Sequence, residues 1–229
     1  RLVLLSIILC QDFVPENNST LNYNQIFFRW PQINNTNYYK IFIGDNQESY
    51  LSDSNSTIIS NLSWNNQYFW RVCGYDSLDN LIDCHIPLNF SINSLPDNYP
   101  TINLIDIDQT QYLPGLNLID YESLNFSVVL DSLGSAVWFA NKNNFVDNRI
   151  WSTQFLSNGN ISGFGNGIGY EFDLNSNIVF QTPSNYGVHH YFYKTDNNTY
   201  FFLDTEIQFL PCPIECPDEL PNSIPWQGD

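Results

Sequence analysis

The chain has no methionine, seven lysines and arginines together, and three histidines in 229 residues. Set against 24 aspartates and glutamates, those few cations leave a formal charge of −17, which repels phosphate backbones and anionic membrane surfaces. A nucleic-acid partner is therefore not expected. No apolar run approaches the roughly 18 residues of a membrane span, so none is expected either. No nucleophile elbow of a serine hydrolase occurs. The glycine-rich "GFGNGIG" at 163–169 lacks the spacing of a dinucleotide fingerprint and has no helical pattern after it, so it reads as a flexible loop between strands. Asp106 and Asp108 in "LIDIDQ" alternate like strand residues, without the ligand pattern of a calcium loop. Neither a metal nor a cofactor is expected. With no methionine in the chain, the true start is expected upstream of Arg1.

What is present is β-forming. The 17 Phe, 14 Tyr and 6 Trp, with many Val, Ile and Thr, suit pleated, half-buried surfaces. A hydrophobic fraction of 43% is enough for real cores. Cys73 and Cys84 flank "GYDSLDNLID" symmetrically, as two strands of a hairpin turning near Asp76 to Asn80 would, and a cross-strand disulfide is expected there. Cys212 and Cys216 either close a small loop, or one of them reaches Cys10. With five cysteines in all, one thiol is left free or bonds another chain. A second pair or a nearby histidine, which zinc would need, does not accompany Cys212 and Cys216. Sequons for N-glycosylation fall at Asn17, Asn18, Asn34, Asn55, Asn61, Asn89, Asn125, Asn160 and Asn197, in both halves of the chain. Together with the cysteines they point to an extracellular glycoprotein, secreted or on the cell surface.

Two textures divide the sequence. From Asn24 to Ser94 the alternation is that of short antiparallel strands: Ile26, Phe28 and Trp30 against Phe27 and Arg29, then Tyr39, Ile41 and Ile43, then Tyr68, Trp70 and Val72 against Phe69, Arg71 and Cys73. These residues resemble a fibronectin type III module over about residues 10–95, with Trp30 matching its buried strand tryptophan and Tyr68 its tyrosine corner. The opening "LVLLSIIL" follows a basic residue as the end of a signal peptide does, but also reads as a buried strand, completing its own sandwich or donated to another subunit. The polar "SLPDNYP" at 94–100 reads as a linker, giving domains 1–98 and 99–229.

Beyond the linker, "VVLDSLGSAVWF" and "YEFDLNSNIVFQ" each carry an Asp, a turn and a β-run, with Asp131 and Asp173 in matching places. "LSNGNISGF" and "KTDNNTYFF" likewise match. The period, about 40 residues, is that of a four-stranded propeller blade; the alternative is plain repeated hairpins in a second sandwich. The segments "YPTINLID", "PGLNLIDYES", "VVLDSLGSAVWF", "FLSNGNISGF", "YEFDLNSNIVF" and "HHYFYKTDNNTYFFLDTE" follow in the order seen in the arylsulfotransferase family. That resemblance implies a small sandwich ahead of a six-bladed propeller, and sulfate transfer between phenols through a sulfated histidine without a nucleotide cofactor. It places His189 and His190 at the family's His-His-Asp motif, as candidate catalytic residues, with Tyr191 in place of the acid. Further His and Arg residues of later blades have no counterpart here, and the third histidine, His85, lies in the sandwich half. Residues 99–229 make roughly three blades, not six, and "SIPWQGD" resembles the start of another repeat.

The expected fold class is all-β: a fibronectin type III-like sandwich followed by an incomplete β-propeller-like repeat region. The expected function is a secreted, glycosylated structural or assembly protein that self-associates through strand edges, related to arylsulfotransferases but not active as one in this chain. Its partners would be copies of itself or the remainder of a longer chain, with N-linked glycans. The alternatives are the N-terminal piece of a working aryl sulfotransferase, and a non-catalytic module that binds carbohydrate or protein.

Overall fold

The structure is a computed structural model that describes residues 12–44, 48–100, 102, 105–106, 108, 110–111, 115–204, 206–211 and 223–228, with positions 48, 122, 152, 206–211 and 223–228 described as backbone only. The apolar stretch 2–9 and Cys10, Cys212 and Cys216 lie outside the described residues. The protein is all-β, and its contacts divide it into two compact units, Arg1–Tyr99 and Pro100–Asp229.

The first unit is a sandwich. Its strands are β1 (Ser19–Leu21), β2 (Ile26–Arg29), β3 (Tyr38–Ile43), β4 (Glu48–Ser52), β5 (Ser56–Ile59), β6 (Asn66–Tyr75), β7 (Leu81–Cys84) and β8 (Leu88–Ile92). One sheet runs β1-β8-β6-β3-β4, with β7 also on β6, and faces the β2-β5 ribbon. The alternation in the sequence sets the faces: Ile26 and Phe28 are buried while Phe27 and Arg29 are out, and Tyr39, Ile41 and Ile43 share the core with Trp70 and Val72. Phe28 of the ribbon meets Trp70 and Phe90 of the large sheet edge to face, at 5.0 and 5.8 Å. Each such ring contributes about 1.5–3 kcal/mol through burial.

Trp30 is fully buried, one residue beyond the end of β2 rather than within it. Tyr68 Oη accepts the Ser63 backbone N–H at 2.7 Å, the tyrosine-corner contact that the fibronectin resemblance implies. Cys73 and Cys84 stand opposite each other on β6 and β7 and form a disulfide. The buried side of Cys73 breaks the alternation of β6, because its sulfur is tied to the neighbouring strand and not released to solvent.

The second unit is a series of antiparallel meanders. Strands β9 (Asn117–Tyr121), β10 (Phe126–Leu130) and β11 (Ala136–Phe139) form the first. Strands β12 (Trp151–Phe155), β13 (Ile161–Gly165), β14 (Ile168–Phe172) and β15 (Ile178–Gln181) form the second, pairing in chain order. Two hairpins follow, β16 (His189–Lys194) with β17 (Tyr200–Leu203) and β18 (Glu206–Pro211) with β19 (Ser223–Gly228). Successive sheets stack, β9 beside β12 and β13 beside β16.

The matched aspartates turn out to build one kind of turn. At Asp131 and Asp173 the first residue's N–H bonds the carbonyl of the fifth, and the fourth residue's N–H returns to the carbonyl of the first. The carboxylate of the first residue accepts the N–H groups of the third and fifth. The fourth residue, Gly134 or Ser176, has a left-handed backbone at φ 79° and 62°. The backbone pattern recurs at 156–160 and 195–199, and in the sandwich hairpin at 76–80.

The segment 163–169 corrects the expected flexible loop. It is the heart of β13 and β14, and the loop shrinks to Asn166 and Gly167, whose φ values of 48° and 76° make the two-residue turn that Asn-Gly favours. Gly165 faces the Arg149 carbonyl so closely that an added Cβ would lie 2.1 Å from its oxygen, and at Gly169 it would lie 2.1 Å from the Phe192 ring. Close pairing with the chain leading into β12 therefore requires Gly165, and stacking of the next hairpin requires Gly169; a flexible loop would require neither. Gly169→Ala is expected to cost about 1–3 kcal/mol in equilibrium unfolding, whereas Gly115→Ala, with nothing within 4 Å of its added methyl, should stay within about 0.5 kcal/mol.

Candidate functional site

His189 opens β16 opposite Leu203, and the next paired residue is Phe192 opposite Phe202. His190 and Tyr191 are therefore extra residues, a bulge in the β16-β17 ladder. His190 takes a left-handed backbone at φ 56° and is exposed, and the two imidazoles meet edge to face at 4.9 Å. The bulge explains how adjacent residues of one strand can bring their rings together: regular alternation would send them to opposite faces. His85 sits elsewhere. Its Nε2 lies 2.8 Å from the Pro31 carbonyl and its ring packs on Phe13, so it serves the sandwich edge.

A second constellation, absent from the sequence reading, lies beneath the same hairpin. Glu171 is in the middle of β14, a strand whose five residues are all buried, and its carboxylate has no solvent exposure. Oε1 accepts the amides of Asn158 at 2.9 Å and Asn160 at 2.6 Å, both from the β12-β13 turn. Oε2 accepts Lys194 Nζ of β16 at 2.7 Å and Tyr200 Oη of β17 at 2.5 Å. Four donors from three places converge on one carboxylate. Lys194 Nζ also lies 5.4 Å from the Tyr200 ring centroid, and Phe180 stacks on that ring at 4.0 Å.

The electrostatics fix the protonation states. Burial alone would push the Glu171 carboxyl up, but the hydrogen bonds from Lys194, Tyr200, Asn160 and Asn158 outweigh it and hold it at about 2. Hydrogen bonding to Glu171 raises Lys194, and burial followed by Glu171 raises Tyr200. Around neutral pH the acid is charged, the amine is charged and the phenol is neutral. None is poised to move a proton there, so the cluster acts as a fastener between the second meander and the next hairpin, and not as an acid–base pair. The sequence did carry a signal for it: an acid in a wholly apolar strand must find a cation, and the chain has three lysines.

Other carboxylates of this unit do similar work. Asp120 of β9 accepts hydroxyls from Ser127 and, across to β12, from Thr153 at 3.0 Å. Asp196 accepts Ser157 at 2.9 Å and so links the turns 156–160 and 195–199.

The sequons divide by their surroundings. Asn17, Asn18, Asn34, Asn61 and Asn197 are exposed, whereas Asn55, Asn89, Asn125 and Asn160 are half-buried. The amide of Asn160 is committed to Glu171, that of Asn55 to the Trp30 carbonyl at 3.2 Å, and that of Asn89 to Asn17 Oδ1 at 3.1 Å.

Glu171→Gln removes the charge and leaves Lys194 with no anion in a half-buried place, an expected loss of about 3–5 kcal/mol in denaturant unfolding. In the native chain the clamp should be pH-dependent in one direction only on the acid side. Because the folded value lies below the usual 4.5, its contribution is complete above pH 4.5 and disappears as pH falls toward 2. Stability measured at pH 7 and at pH 2 should differ by about 3 kcal/mol more in the native chain than in the Gln variant.

No family model matches this chain, and no curated protein matches it. Among solved structures, the alpha-L-rhamnosidase from Dictyoglumus thermophilum aligns at a TM-score of 0.31 and 14% identity, over 52% of this chain and 16% of that one. At that score nothing about activity passes from it to this protein.

Proposed function

We propose that this protein is an extracellular, N-glycosylated structural or assembly protein, built on the arylsulfotransferase plan but not working as a sulfotransferase. One observation carries the reading: the buried charge at the turn end of the hairpin that carries the paired histidines, Glu171 with Lys194 and Tyr200, is saturated as an inter-sheet fastener with protonation states set far from neutrality. The cross-strand disulfide of the sandwich and the exposed sequons support placement outside the cell. The stacked meanders with their repeating turns support blades of a propeller-like array, whose faces must be covered by further sheets.

A second reading keeps the histidines catalytic. It is favoured by the bulge that turns His190 outward, since such bulges re-aim side chains at functional sites. In that reading an imidazole nitrogen displaces a phenolate from sulfur, then gives the sulfuryl group to a second phenol.

Two measurements separate the readings. Glycopeptide mapping of the protein secreted from eukaryotic cells is expected to find glycans at exposed sites such as Asn34, Asn61 and Asn197 and none at Asn160; a fully unmodified chain would contradict the first reading. A sulfate-transfer assay between two phenols is expected to show no turnover, and turnover lost in His189→Ala or His190→Ala would establish the second.

A further inference from the structure

The β16-β17 hairpin has two unlike faces. Phe192, Tyr200 and Phe202 point inward and pack with Phe164, Trp151 and Phe180 of the second meander. On the other face, Tyr193 pairs across the ladder with Phe201, Tyr191 stacks on Tyr193 at 6.1 Å, and Leu203 lies two residues beyond Phe201. Phe201 is 58% exposed, Tyr191 47% and Leu203 43%. No charged side chain belongs to this face, on a chain of net charge −17.

The internal repeat shows what such a face is for. Aligning the turns 156–160 and 195–199 places Gln154, Ser162 and Phe164 where Tyr193, Phe201 and Leu203 stand one repeat later. In the earlier repeat that face is sealed by the next hairpin. Ser162 is fully buried, Phe164 is 7% exposed and packs on Phe192, and the Gln154 amide donates to the Phe192 carbonyl at 3.0 Å. One repeat later the residues are more apolar, and yet they are open. Ser162 has become Phe201.

We propose that this face is an interface, sealed by the same face of a second copy of the chain. The proposal rests on the assembly reading and names its surface. The cover in the earlier repeat is a hairpin of this repeat type, and the hairpin face that a second copy still has open is this aromatic one. Two uncharged aromatic surfaces can meet about a twofold axis, the commonest symmetry of homo-oligomers, and bring no acidic side chains together in a strongly acidic protein. Tyr191, Tyr193 and Phe201 are also the residue type that anchors interfaces.

The test is sedimentation of the native protein over a wide concentration range, with Tyr193→Lys and Phe201→Lys as variants and Leu51→Lys, at an exposed position of the sandwich, as control. Phe201 and Leu51 are exposed and Tyr193 is half-buried, and thermal unfolding reports whether each variant is folded. A dimer is expected whose dissociation constant rises at least tenfold in each hairpin variant and does not change in the control. A dimer that survives both hairpin substitutions overturns this face while leaving assembly standing. A native protein that is monomeric at every concentration overturns self-association altogether. In that case, protection of Tyr193 from covalent surface labelling would assign the face to a later segment of the same chain.

Discussion

A carboxylate without solvent must be answered by donors, and in the second unit the answer determines how the sheets stand against each other. Glu171 is in β14, Asn158 and Asn160 are in the turn that precedes β13, and Lys194 and Tyr200 are on the next hairpin. A change in the spacing of these sheets would strand a charge in a low dielectric, at a cost of several kcal/mol. The apolar contacts around it, Phe192 with Phe164 and Phe180 with Tyr200, fill the interface but tolerate sliding more easily than the four-donor cage does. Gly169, closed over by the Phe192 ring, sets the limit of approach from the other side.

The stacking repeats because its turns repeat. Among the described residues of this unit, four hairpins use one hydrogen-bond pattern and one left-handed position, so each delivers its two strands in the same register relative to the turn. Asp120 to Thr153 and Glu171 to Lys194 are ties between successive sheets, made by different residues at different places in the strand. Repetition of backbone geometry with variation of the polar fastener keeps each interface specific for its own neighbour. Among the described residues it also leaves the aromatic side of β16-β17 exposed, which gives that face its functional interest.

Much of this was legible in the sequence where the signal is local. The period-two burial of Ile26 and Phe28, or of Tyr68 and Trp70, is written in adjacent residues, and so are the Asp-led turns at 131 and 173 and the cysteine pair around 76–80. Non-local features were not legible. The partner of Glu171 lies 23 residues away on another sheet, and only the fold decides which lysine that is. Glycines read as looseness in 163–169 because their reason, a phenyl ring and a carbonyl pressed against them, comes from chain segments outside the window. The Asn-Gly turn within that window was the available local clue. The histidine pair stood out by rarity alone, and the bulge that brings the rings together depends on how β17 counts against β16.

The account stands on Glu171 being an ionised fastener and not a group that exchanges protons near neutral pH. Its most direct test is carbon-13 NMR of the Glu171 side-chain carboxyl followed through an acid titration of the folded protein. The account predicts a single transition near pH 2. A transition between pH 5 and 7 would contradict it, and would mark the carboxyl as an acid–base group.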